Sequence, residues 1–124
     1  MKRSTFMLIS SIYGLLLGAI LVISPSEAMK TYGYTSLDFL HNDLSIHLGL
    51  LVLIIAAYLL IKRNSENQEL VNTILWMNFI ATITGALYDI YALKHITEMP
   101  TLGYFDIGLR LVIGITTAFY LKKP

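Results

Sequence analysis

Charge is gathered into short clusters in this chain, and between the clusters run four apolar segments of roughly bilayer length. They cover about residues 5–23, 45–61, 71–93 and 104–121. A helix of about 20 residues crosses the hydrocarbon layer. Lipid offers the backbone no hydrogen bonds, so a spanning segment must satisfy its own as a helix or a closed barrel. Only 14% of the 124 residues are charged and 56% are hydrophobic, where soluble domains carry about a quarter charged residues. The pattern predicts an all-α fold, an integral membrane bundle of four transmembrane helices with up-down topology. The connections are short, so residues 1–124 form one domain. The second segment is the shortest; it draws in Leu44 and Ser45, or lets Lys62 and Arg63 reach outward to the interface.

Several chemistries are excluded at this level. The chain has no cysteine, which removes disulfides, thiolate catalysis and cysteine metal sites. No basic run exceeds two residues, so nucleic acid is not an expected partner. His47 and His95 could tempt a haem reading. With the polar connection centred near Glu66, however, the residue level with His47 is Gly85, and His95 falls about 15 Å away along the axis at ~1.5 Å per residue. No metal or cofactor is therefore expected. No nucleophile–base pair or phosphate loop is present either, so no catalytic residue is named and the reading leans away from an enzyme.

Met1-Lys2-Arg3 before an apolar run, with Ser26-Glu27-Ala28 after it, has the outline of a secretory leader. The run is longer than a leader's apolar core of about 7–15 residues, so we read it as a retained first span. Ser11, Gly14 and Gly18 share one of its faces, which suits close helix packing. That face packs inside the bundle or, alternatively, forms a homodimer. Ser24-Pro25-Ser26-Glu27 has the form of a helix start, with Ser24 as cap, Pro25 at the first position and Glu27 three after the cap. Gly33 is a stop. A short interfacial helix is expected from about Pro25 to Tyr32, with Met29 and Tyr32 turned inward, and a partial turn near 37–40 before the second span. The aromatic residues here suit a membrane interface, and the segment forms a cover over the bundle or a gate over a cavity.

Topology follows from the basic residues. Lys2, Arg3, Lys62, Arg63, Lys122 and Lys123 fall on one side of a four-span chain, and only Lys30 and Lys94 on the other. The positive-inside rule makes both termini and the 62–70 connection cytoplasmic.

The candidate site lies where the third and fourth spans meet around Pro100. Asp89 and Arg110 are nearly equidistant from this proline, so an antiparallel hairpin sets them level. A lone charge at the centre of a spanning helix costs roughly 2.5–3.5 kcal/mol on insertion scales, and an ion pair removes much of that cost. Asp106, one turn before Arg110, can share the guanidinium. Asn78, Thr82, Gly85 and Asp89 are spaced four, three and four apart, which keeps them on one helical face. The ligand-binding candidates are therefore Asp89, Arg110, Asp106, Asn78, Thr82 and His47. For His47 the competing reading is a local hydrogen bond one turn beyond Asp43.

Ser24-Pro25 followed by Tyr32-Gly33, a second span beginning His47-Leu48-Gly49-Leu50, the basic Lys62-Arg63, a polar third span and a last span closing on lysines resemble the DoxX-like group of small bacterial membrane proteins. The resemblance implies a four-helix bundle in the cytoplasmic (inner) membrane. Some members of the wider group accompany membrane redox chemistry with sulfur compounds and quinone, and many have no assigned role. The leading expectation is a structural or accessory membrane protein with a polar cluster at the outer end of its bundle. A second is a small-molecule binding or transport module using Asp89, Arg110 and Asp106 beneath the 24–45 segment. A third, by analogy, is a quinone-linked redox subunit. Expected partners are membrane lipids and either another membrane subunit or a second copy through Gly14 and Gly18. A sealed ion pair with no cavity favours the structural role; a cavity reaching both partners favours binding.

Overall fold

The computed structural model describes residues 1–34, 39–96 and 98–121. Among these residues the chain forms five helices: α1 (Arg3–Ile23), α2 (Pro25–Thr31), α3 (Phe39–Lys62), α4 (Gln68–Ala92) and α5 (Thr101–Leu121). Four of them are long and apolar enough to cross a membrane: α1, α3 over His41–Lys62, α4 and α5. Each starts a few residues earlier than the apolar pattern indicates, because polar residues continue a helix into the interface as readily as apolar ones. The expected partial turn near 37–40 falls partly outside the described residues; Phe39 and Leu40 belong to the first turn of α3.

The helix ends have local causes. Pro25 opens α2 at a position where its missing N–H costs nothing. Ser24 lies between two helices: its N–H donates to the Ile20 carbonyl and its carbonyl accepts from Ala28. Its hydroxyl makes no cap, and Glu27 turns to Lys30 at 3.3 Å instead of closing the expected capping box. Gly33 stops α2 at φ 86°, with Tyr34 N–H on the Met29 carbonyl and Gly33 N–H on that of Lys30. This is the pairing by which a left-handed residue satisfies the last carbonyls of a helix. Asn67 caps α4, its side chain accepting from Leu70 N–H at 3.0 Å. Pro100 ends the α4–α5 turn, and its carbonyl accepts from Gly103 as α5 begins.

The helices run alternately up and down. They form two closely packed pairs, α1 with α3 and α4 with α5, while α3 and α4 touch only sparingly. Small residues bring the first pair together. A Cβ on Gly18 would stand 2.9 Å from the Gly49 carbonyl oxygen, and one on Gly14 would stand 2.8 Å from Ala56 Cβ. The Gly14–Gly18 face is thus occupied by α3 of the same chain. With hydrocarbon on both sides of the comparison, tight van der Waals packing drives such an approach, not removal from water.

The two halves of the bundle differ. Near the termini it is solid: Phe6, Met7, Leu59, Val71, Ile74, Leu75, Ile113 and Tyr120 form one buried cluster. Phe6 and Tyr120 stack there at 5.1 Å. Toward α2 the apolar core is a smaller group of Ala86, Met99 and Ile107. Leu93, Ile96 and Leu111 pack against that group, and polar contacts and a cleft lie beside it.

Candidate functional site

Two polar groupings lie along the bundle. The deeper one centres on Asn78 of α4, which is buried. Its amide donates to Ser10 Oγ of α1 at 3.2 Å and to Thr117 Oγ1 of α5 at 3.0 Å. Thr82, one turn on, donates back to the Asn78 carbonyl at 2.7 Å. The amide nitrogen spends both protons across helix interfaces, so Asn78 joins three helices at a depth where an unpaired amide would be costly.

The second grouping sits toward α2. Arg110 Nη2 bonds Asp89 Oδ2 directly and also reaches Asp106 Oδ2 at 2.9 Å. The hairpin geometry around Pro100 thus sets Asp89 and Arg110 level, and helical spacing delivers Asp106. Arg110 needs room to do this. A Cβ on residue 85 would lie 2.9 Å from Arg110 Nη1, so Gly85 leaves the space the guanidinium fills.

Two tyrosines complete the cluster, and charge placement alone gives no sign of them. Tyr13 of α1 donates to Asp106 Oδ1 at 2.5 Å, and Tyr32, just past α2, donates to Asp106 Oδ2 at 2.6 Å. The Tyr32 ring also lies under the Arg110 guanidinium, 5.4 Å from its centroid. Burial first, then the neighbouring Asp106 carboxylate, holds the Tyr32 phenol above its ordinary value, against a smaller opposing effect of Arg110. Tyr32 is a fixed donor. One signal for Tyr13 was in the sequence: a tyrosine hydroxyl inside an apolar span finds a hydrogen-bond partner when buried.

The acids are not equivalent. Asp106 accepts from both tyrosines and from Arg110, which uses both of its oxygens. Among the described residues Asp89 receives one side-chain hydrogen bond, from Nη2. Two carboxylates face one guanidinium, so the ionised cluster carries one net negative charge.

A cleft of about 770 Å³ lies beside this cluster. One wall is α3, through Leu44, Leu48, Leu51 and Ile55; the opposite wall is α4, through Asn78, Ala81, Thr82, Thr84, Gly85 and Tyr88. Ser10, Tyr13, Gly14 and Leu17 of α1 form the floor, and Met29, Tyr32 and Tyr34 close the α2 end. Asp89 and Arg110 line it, whereas Asp106 stands behind Arg110, outside the lining. Leu44, Leu48 and Leu51 on one rim, and Ala81, Thr84 and Tyr88 on the other, are exposed. The opening is therefore lateral, between α3 and α4, at the level of the spanning segments. The volume falls within the roughly 300–1,000 Å³ of small-molecule sites, and such sites pair apolar walls with a few polar groups.

His47 stands apart from all this. Its ring nitrogen meets the Asp43 backbone carbonyl at 2.8 Å, its side chain is 68% exposed, and it does not line the cleft. The local hydrogen-bonding role describes it, because one turn of helix beyond Asp43 points it away from the bundle. His41, without an expected role, does line the cleft, tilted against Tyr34 at 6.0 Å. No group of His, Asp and Glu suited to holding a metal occurs among the described residues.

Asp89, Arg110, Asn78 and Thr82 thus share one cleft wall or its head, Asp106 supports them from behind, and His47 lies elsewhere. The chain matches no family model, no curated protein and no solved structure.

Proposed function

We propose that this membrane protein holds an amphipathic small molecule in the cleft between α3 and α4. The apolar body lies against Leu44, Leu48, Leu51 and Ile55, and the polar head meets Asp89 and Arg110. One observation carries the reading: the cleft reaches both members of the ion pair, and its α3 side is apolar. A pair whose only task is to lock two helices needs no open space beside it. The lateral mouth suits a ligand that partitions into lipid before it binds. The fastening role belongs to the other half of the cluster, where Tyr13 and Tyr32 hold Asp106. We place the protein in the cytoplasmic membrane with both termini inside, on the basic residues at that end and the DoxX-like order of features.

The test uses the full chain in a neutral detergent, with decanamide as a probe that pairs a hydrogen-bonding head with a short alkyl tail. A ligand bound only by the native state stabilises it by about 2.7 kcal/mol at a hundredfold excess over Kd. Decanamide should raise the unfolding temperature saturably, and Ala81→Trp, which places an indole in the cleft mouth, should remove the effect. A shift that persists undiminished in Ala81→Trp places the probe elsewhere and defeats the proposal.

A further inference from the structure

The cleft also discriminates by charge. Resting on the binding reading above, we infer that its ligand is a lipophilic organic cation, with the positive centre at Asp89 between Tyr34 and Tyr88.

The charge balance is the first ground. When both acids are ionised, Asp89, Asp106 and Arg110 together leave one negative charge uncompensated, in a part-buried setting. Charge interactions are screened far less there than in water. An anionic head would add repulsion, and a neutral head would leave the excess charge in place. A cation removes it.

The location of the excess is the second ground. Asp106 is saturated by the Tyr13 and Tyr32 hydroxyls and by Nη2, and it stands outside the cleft lining. Among the described residues Asp89 has one side-chain hydrogen bond, from Arg110, and it faces the cleft. The available carboxylate is therefore the one a ligand can reach.

The third ground is aromatic. Tyr34 and Tyr88 line the same cleft, and a cation is drawn to the face of an aromatic ring within about 6 Å of its centroid. The Tyr32 ring already serves Arg110 in this way, at 5.4 Å. Away from Asp89 and Arg110, the α3 side of the cleft, through Leu44, Leu48, Leu51 and Ile55, is apolar and suits alkyl or aryl substituents on the cation.

Tetraphenylphosphonium and tetraphenylborate provide the test, since they have nearly the same size and shape and opposite charge. Binding of each to the full chain in neutral micelles is measured by equilibrium dialysis, for wild type, Asp89→Asn, Asp89→Glu and Ala81→Trp. The phosphonium should bind at least tenfold more tightly than the borate in wild type. Asp89→Asn should erase that preference, and Asp89→Glu should keep it. Equal binding of the two ions in wild type, lost in both cases in Ala81→Trp, would overturn the charge inference and leave the cleft reading standing. Binding of both ions that Ala81→Trp leaves unchanged would overturn both. Should Asp89→Asn fail to fold, the wild-type comparison alone decides the charge preference.

Discussion

Arg110 is the residue on which the polar end turns, because one guanidinium nitrogen serves two acids. Removing it leaves two carboxylates facing each other with no counter-charge; removing Asp89 leaves Arg110 still paired with Asp106. Arg110→Gln should therefore destabilise the protein more than Asp89→Asn does, with the single losses on the order of 1–3 kcal/mol for buried charged partners. The double variant should be less damaged than the sum of the singles, with a coupling of about 0.5–3 kcal/mol. Denaturation of the four forms in one detergent measures this, and strict additivity would sink the pairing. Asp89 and Arg110 were legible in the sequence because charge inside an apolar segment is conspicuous and hairpin geometry is simple. Tyr13 and Tyr32 were not read as partners of Asp106. They lie 93 and 74 residues from it, and spacing along one helix carries no information over that distance.

Among the elements, α1 and α3 depend on glycine for their approach. Gly18 and Gly49 stand so close that a Cβ on either falls 2.9 Å from the other's carbonyl oxygen. The Gly18→Val change should force these helices apart and destabilise the fold by about 1–3 kcal/mol, as overpacking does in closed cores. Gly108, around which nothing lies within 4 Å of an added Cβ, is the control: Gly108→Ala should be neutral or stabilising, given the ~1 kcal/mol propensity gain in a helix interior. Thermal unfolding compares the two, and equal losses would show that close approach is not what Gly18 supplies. Small residues at positions 14 and 18 announce that a helix comes near, but not which one. Their partner was decided when Gly49, Leu53 and Ala56 presented a matching face.

For the whole molecule, the basic residues near the termini and in the 62–63 turn fix the proposed orientation. The chain has no cysteine, so single cysteines report it cleanly. Asn64→Cys should react with a membrane-impermeant maleimide only after cells are permeabilised, and Lys30→Cys should react in intact cells; the reverse pattern would invert the topology. Four helical spans, their alternating direction and an ion pair near one end follow from the sequence alone. Hydropathy and the cost of charge in lipid act locally, and each segment reports them by itself. The cleft does not follow from it. It exists because α1 packs on α3 and α4 on α5 along their lengths while α3 and α4 stand apart. No single segment encodes that separation. The tertiary structure likewise separated the two acids, holding Asp106 behind the guanidinium with two tyrosines and leaving Asp89 at the cleft. Asymmetry between two carboxylates of identical chemistry arises only from what packs around each.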